Sequence, residues 1–356
     1  MRTSGSHLFN RKMLSALLER VEMAQIANLP QKQQVLAKWK QTLDANKLKN
    51  VGEVALHGVF LSDLFATVLG YKQITEHPTE WNLVQEQKTQ FDATKPDGAL
   101  GFFTKDASDP RAIIELKSAD TDLDVKQHRH HDQRSPVEQA FSYAPKSGKK
   151  CHWIIVSNYV ELRLYHQNSF GEYESFRIAD LTDEAEFTRF YYLLAFENLI
   201  AKDGESVIDA LYRKSEEEEK SISKKFYAEY TRTRLYLFEH LRQQNPGNES
   251  DPGVSNLDLT AQSRLRTPLF LLEKTQKLLD RFIFVCFCED TGMLPERIFR
   301  KVVKHAQESF TFTDDKIWTE LKGLFRAIDQ GSPAHHIHGF DGELFTPDPA
   351  LDALRI

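Results

Sequence analysis

The hydrophobic period of this chain changes twice, and those two changes restrict the folds open to it. Before residue 80 the period is helical. Leu61, Leu64, Phe65, Val68 and Leu69 mark the buried face of a helix over residues 52–69, with Gly70 as its stop. Residues 9–25 and 30–47 read as short basic helices, the second with Pro30 in its first turn. From residue 81 the pattern suits strands, at 82–91, 99–103 and 112–117, with TKDASDP as a turn cluster. A helix over 136–143 follows, opened by Ser135 with Glu138 three residues later, the signature of a capping box. Residues 152–156 and 160–165 then flank Ser157-Asn158-Tyr159 as a hairpin. Beyond residue 180 the character is helical to the end, interrupted by the loop QQNPGNESDPGVSN. The expected architecture is an α/β core with a mixed central sheet flanked by helices, followed by an all-α region. The expected limits are 1–50 for the basic helices, 51–180 for the α/β domain and 181–356 for a helical connector.

A chain of 356 residues exceeds the roughly 250–300 at which one hydrophobic core stops growing, so more than one packed unit is expected. The formal net charge of -6 argues against a nucleic-acid partner only until it is divided. Residues 1–180 carry 23 Lys+Arg against 22 Asp+Glu, whereas residues 181–356 carry 23 against 30. The basic residues gather in 1–50 and 125–150. Cys151, Cys286 and Cys288 form no CxxC pair, which excludes a disulfide scaffold and argues against structural zinc. No apolar run approaches the ~20 residues of a membrane span, and no apolar leader opens the chain. A cytoplasmic protein without a membrane partner is expected.

The chemistry concentrates in Pro96-Asp97 and Glu115-Leu116-Lys117. On a strand, Glu115 and Lys117 share one face while Leu116 points into the core. A hairpin between the two motifs brings the Asp97 carboxylate beside Glu115. Two converging carboxylates and a carbonyl suit Mg²⁺. A neighbouring lysine orients or deprotonates an attacking water and offsets phosphate charge. Together these are the parts of metal-assisted phosphodiester hydrolysis. The competing reading is a buried structural ion pair between Glu115 and Lys117.

PDGALGFF…AIIELK followed by SPVEQAFSYAPKSGKKCHWIIVSN resembles the PD-(D/E)XK nuclease domain of restriction enzymes. More narrowly, it is similar to the nuclease at the front of fused type IIG and type I-like single-chain restriction–modification proteins. The resemblance implies that Asp97 and Glu115 are metal ligands and Lys117 the catalytic lysine. Gln139 and Tyr143 match the accessory QxxxY helix, whose glutamine lies near the bound phosphate, and Glu53 matches an early-helix acid. FIFVCFCEDTGMLP and HIHGFDGELF are similar to the connector that leads to the methyltransferase domain in such proteins. No FxGxG or NPP(Y/F) motif occurs in the chain, so S-adenosylmethionine is assigned to a methyltransferase part outside it, and the chain is expected to be a fragment. No GxxxxGK[ST] motif for an ATP-driven motor occurs either. The implied activity is Mg²⁺-dependent cleavage of double-stranded DNA in host defence, with Mn²⁺ as a substitute cation. The implied partners are a target-recognition domain and a transient second copy on DNA. The alternatives are a catalytically silent nuclease-like scaffold and a repair or single-strand nuclease of the same fold.

Lys146, Lys149 and Lys150 form a basic turn expected beside the site, which reads either as a contact to DNA phosphate, together with Tyr143, or as a solvated turn. Asp120, Asp122 and Asp124 read as a solvated loop, the histidines at 128, 130 and 131 as a surface loop, and Glu216–Glu219 as an exposed helix face. His335, His336 and His338 lack metal-ligand spacing. Cys286 and Cys288 read as buried packing residues.

Overall fold

The computed structural model describes residues 7–48, 53–86, 89, 95–127, 133–246, 268–310, 315–340 and 342–356, with the backbone alone at 53–55. The chain divides into two compact units, Met1–Ser221 and Ile222–Ile356.

The first unit opens with helices α1 (Arg11–Leu18) and α2 (Leu29–Asp44). Helix α3 (Glu53–Phe60) runs directly into a π-helical stretch, Leu61–Val68, whose Leu61, Leu64, Phe65 and Val68 are buried. Six strands follow among the described residues: β1 (Trp81–Gln85), β2 (Gly98–Phe103), β3 (Ser108–Leu116), β4 (Trp153–Ser157), β5 (Glu161–His166) and β6 (Glu174–Arg177). They lie side by side in chain order, and only β3 and β4 are parallel. Helix α4 (Pro136–Ser147) makes the crossover that a parallel pair requires. Its Ser135 and Glu138 close the expected capping box.

Alternation along β3 divides the core between the two faces of the sheet. Ala112, Ile114 and Leu116 join the main core with Leu61, Leu64 and Phe65, while Ile113 packs with Val137, Ala140 and Tyr143 of α4. Strand β3 begins earlier than the turn cluster suggests. Ser108 pairs with Phe103, and the turn shrinks to residues 104–107, where the Thr104 hydroxyl accepts from the amides of Asp106 and Ala107.

The compact unit runs past residue 180. Helices α5 (Glu184–Leu194), α6 (Phe196–Leu199) and the start of α7 (Val207–Gln244) bury Phe187, Phe190, Leu194, Leu199, Ile208 and Leu211 in the same core as the sheet. The N-terminal helices are equally part of it through Leu14, Leu36 and Trp39. Some of their positive charge is committed internally. Lys32 donates to the carbonyls of Thr67 and Val68 at the end of the π-helical stretch, and Lys40 to that of Ala179.

Among its described residues the second unit is helical, with the rest of α7, α8 (Pro268–Asp290), α9 (Ile298–Glu308), α10 (Lys316–Gln330) and α11 (Pro349–Asp352). Cys288 is buried there, but Cys286 is exposed, contrary to expectation. Two residues apart on a helix means about 200° of rotation, so the pair cannot share a buried face. Asp348 caps α11 and accepts from Lys274 and Lys277 at 2.9 and 3.1 Å. Burial opposes its ionised form, but these bonds prevail and hold the carboxyl at about 2. A depressed carboxyl stabilises the fold above its unfolded value and loses that contribution as the pH falls through the folded one. Acid titration followed by circular dichroism is therefore expected to show stability lost between about pH 4 and pH 2, and Asp348→Asn to flatten that segment.

Among the described residues no helix is long and apolar enough to cross a membrane.

Candidate active site

The hairpin of β2 and β3 sets Gly98 opposite Ile114, so Asp97 stands opposite Glu115 one step on. The Asp97 carboxylate turns toward β3, where its Oδ2 accepts from the Leu116 amide at 2.7 Å. Glu115 and Lys117 lie on the Ile113 face, beneath α4, and are only 2% and 3% exposed. The Lys117 ammonium donates directly to Glu115 Oε1. The buried ion pair posed as the rival to a catalytic site is therefore present, and a carboxylate, Asp97, stands beside it.

Helix α4 closes the site from above. Gln139 Nε2 donates to the Tyr143 hydroxyl at 2.9 Å, which joins the two QxxxY residues. Burial raises the Tyr143 phenol above its ordinary value. The Gln139 bond opposes that shift, and the nearby Glu115 carboxylate reinforces it.

His57, which nothing in the sequence singled out, stands on α3 with its Nδ1 3.8 Å from Asp97 Oδ1. Its Nε2 is buried and has no hydrogen-bond partner among the described residues. Glu53 opens α3 one turn earlier, and its side chain lies outside the described residues.

The basic turn is not at the site. Helix α4 starts near the Glu115 end of the sheet and carries its C-terminus to the other end. There Lys150 approaches Asp109 to 3.5 Å, and the His152 amide donates to Arg111. Asp109 precedes Glu115 by six strand residues, about 20 Å. Lys149 shares that distant turn, and Lys146, on the last turn of α4, lies between it and Tyr143. The acidic loop is also more than solvated. Asp124 takes two bonds from Arg163, which is 8% exposed, and Asn158 donates to the Thr121 carbonyl, so the loop is tied down over β4 and β5. The histidines at 128, 130 and 131 lie outside the described residues.

Among the described residues no group of three or more His, Cys, Asp or Glu side chains converges to hold a metal. That donor set does not suit zinc, which takes three or four protein ligands. It is compatible with Mg²⁺, which is commonly held by one or two carboxylates together with substrate phosphate.

These features define a mixed-sheet α/β domain with two carboxylates and a lysine at one strand end. The chain matches the family model described as MmeI, N-terminal domain, over residues 30–208, half of its length. It belongs to that family, the N-terminal domain of a type IIG restriction–modification enzyme. No curated protein and no solved structure matches it.

Proposed function

We propose that this chain is the endonuclease portion of a restriction–modification enzyme, a PD-(D/E)XK nuclease that hydrolyses phosphodiester bonds of double-stranded DNA with Mg²⁺ or Mn²⁺. The observation that carries the reading is the register that sets Asp97 opposite Glu115, with Lys117 on Glu115. Asp97 and Glu115 would hold the cation, which supplies a Lewis acid for the phosphate when bound. Lys117 would orient the attacking water and, once its ammonium has given up a proton to solvent, take up the water's proton as the neutral amine. Gln139, fixed by Tyr143, would steady the phosphate from α4. The Leu116 amide keeps the Asp97 carboxylate from rotating away. Base reading and S-adenosylmethionine-dependent methylation would belong to other parts of the enzyme, and cutting both strands would require a second copy.

The Glu115–Lys117 contact also favours a second reading, a nuclease-like scaffold in which the pair serves only the fold. Plasmid cleavage separates the two. With Mg²⁺ and a large excess of protein, nicking is expected and should stop with EDTA. Asp97→Asn is expected to slow it on the order of 10²-fold, the equivalent of a few kcal/mol of lost Lewis-acid stabilisation. Equal rates for wild type and Asp97→Asn would support the scaffold.

A further inference from the structure

Two contacts fix where His57 stands. Leu61 follows it by four residues, on the same side of a helix. The Leu61 methyls lie 3.4 Å from where a Cβ on Gly98 would sit, so this helix seats on the chain next to Asp97. The same seating delivers His57 to Asp97. The Leu116 amide meanwhile holds Asp97 Oδ2, and Asp97 Oδ1 lies 3.8 Å from the imidazole Nδ1. The other ring nitrogen, Nε2, is buried and unpartnered among the described residues, so the contact of the ring to Asp97 is made through Nδ1.

We infer that His57 is a positioning residue: its Nδ1–H donates to Asp97 Oδ1 and so sets the affinity of that carboxylate for a divalent cation. The inference rests on the nuclease reading above and names a residue to which that reading assigns no part. The separation exceeds hydrogen-bond range by less than 1 Å, and bonds of this kind commonly tighten when a site is filled. A ligating carboxylate depends on its own hydrogen bonds, and removing such a partner typically costs about 10–100-fold in metal affinity.

The test is Mn²⁺ binding to the full chain, read by electron paramagnetic resonance without DNA. His57→Ala is expected to weaken binding by about 10-fold or more. His57→Asn, whose side-chain amide also donates, is expected to stay much closer to wild type. Thermal melting identifies any variant that fails to fold. Binding by His57→Ala equal to wild type, with Asp97→Asn deficient, would overturn the role of His57 alone. Unchanged binding in Asp97→Asn, or no binding by wild type, would overturn the site itself and His57 with it. A ¹⁴N coupling on the bound Mn²⁺ would make the imidazole a ligand and also end the positioning role.

Discussion

Lys117→Ala is expected to slow DNA cleavage by about 10²–10⁴-fold and to lower the stability of the first unit by about 3–5 kcal/mol. The two effects have separate causes. Cleavage falls because the amine that handles the proton of the attacking water is gone. Stability falls because Glu115, 2% exposed, loses the ammonium that offsets its charge. Two further variants separate the causes. Lys117→Arg keeps a cation on Glu115, so stability is expected to hold, but a guanidinium does not give up its proton and cleavage should stay as slow as in Lys117→Ala. Pairing Lys117→Met with Glu115→Gln removes both charges and is expected to recover most of the stability with no cleavage. Denaturant unfolding and single-turnover cleavage measure the two quantities. Wild-type cleavage by Lys117→Arg would refute the proton-handling role. Cleavage by folded Lys117→Ala at the wild-type rate would leave the pair a purely structural one.

The parts of this site that could be read from sequence are those set by local geometry. Glu115 and Lys117 share a face because strands alternate, and the Ile-Ile pair before them announces a buried strand. The capping box fixed the start of α4, and with it the helix carrying Gln139 and Tyr143. What was misplaced depends on the direction of an element in space. Lys149 and Lys150 follow the accessory helix closely in sequence, but a crossover helix runs antiparallel to its strands and carries them to the far end of the sheet. What was missed depends on packing between distant segments. His57 and Asp97 are forty residues apart and meet only because Leu61 seats on Gly98. The domain limit shifted for a related reason. Composition turns helical after residue 180, yet the helices up to residue 221 bury their apolar faces in the core of the sheet.

The hairpin that aligns Asp97 with Glu115 depends on a glycine far from either acid. Gly101 pairs with Pro110 at the point where the β2–β3 register shifts. A Cβ at Gly101 would lie 2.4 Å from the Asp109 carbonyl oxygen and 2.8 Å from the Pro110 Cα, both backbone atoms that cannot turn aside. Proline itself is tolerated inside this strand because the irregularity relieves the ladder there. Gly101→Ala must therefore part the two strands or move their register. The expected cost is about 3 kcal/mol, the upper end for overpacking a tight interior. The consequence for the site is larger than the methyl suggests, because a one-residue slip turns every side chain of a strand to the opposite face. A displacement of only about 1 Å between Asp97 and Glu115 is expected to slow cleavage on the order of 10²-fold. Gly171→Ala supplies the comparison, since no atom of the described residues lies within 4 Å of the added methyl. It is expected to remain within about 1 kcal/mol of wild type and to cleave normally. Denaturation and cleavage of both variants decide the matter. If Gly101→Ala unfolds and cuts like Gly171→Ala, the glycine does not set the register, and the alignment of the two carboxylates must come from the turn between β2 and β3 or from the seat of Leu61 on Gly98.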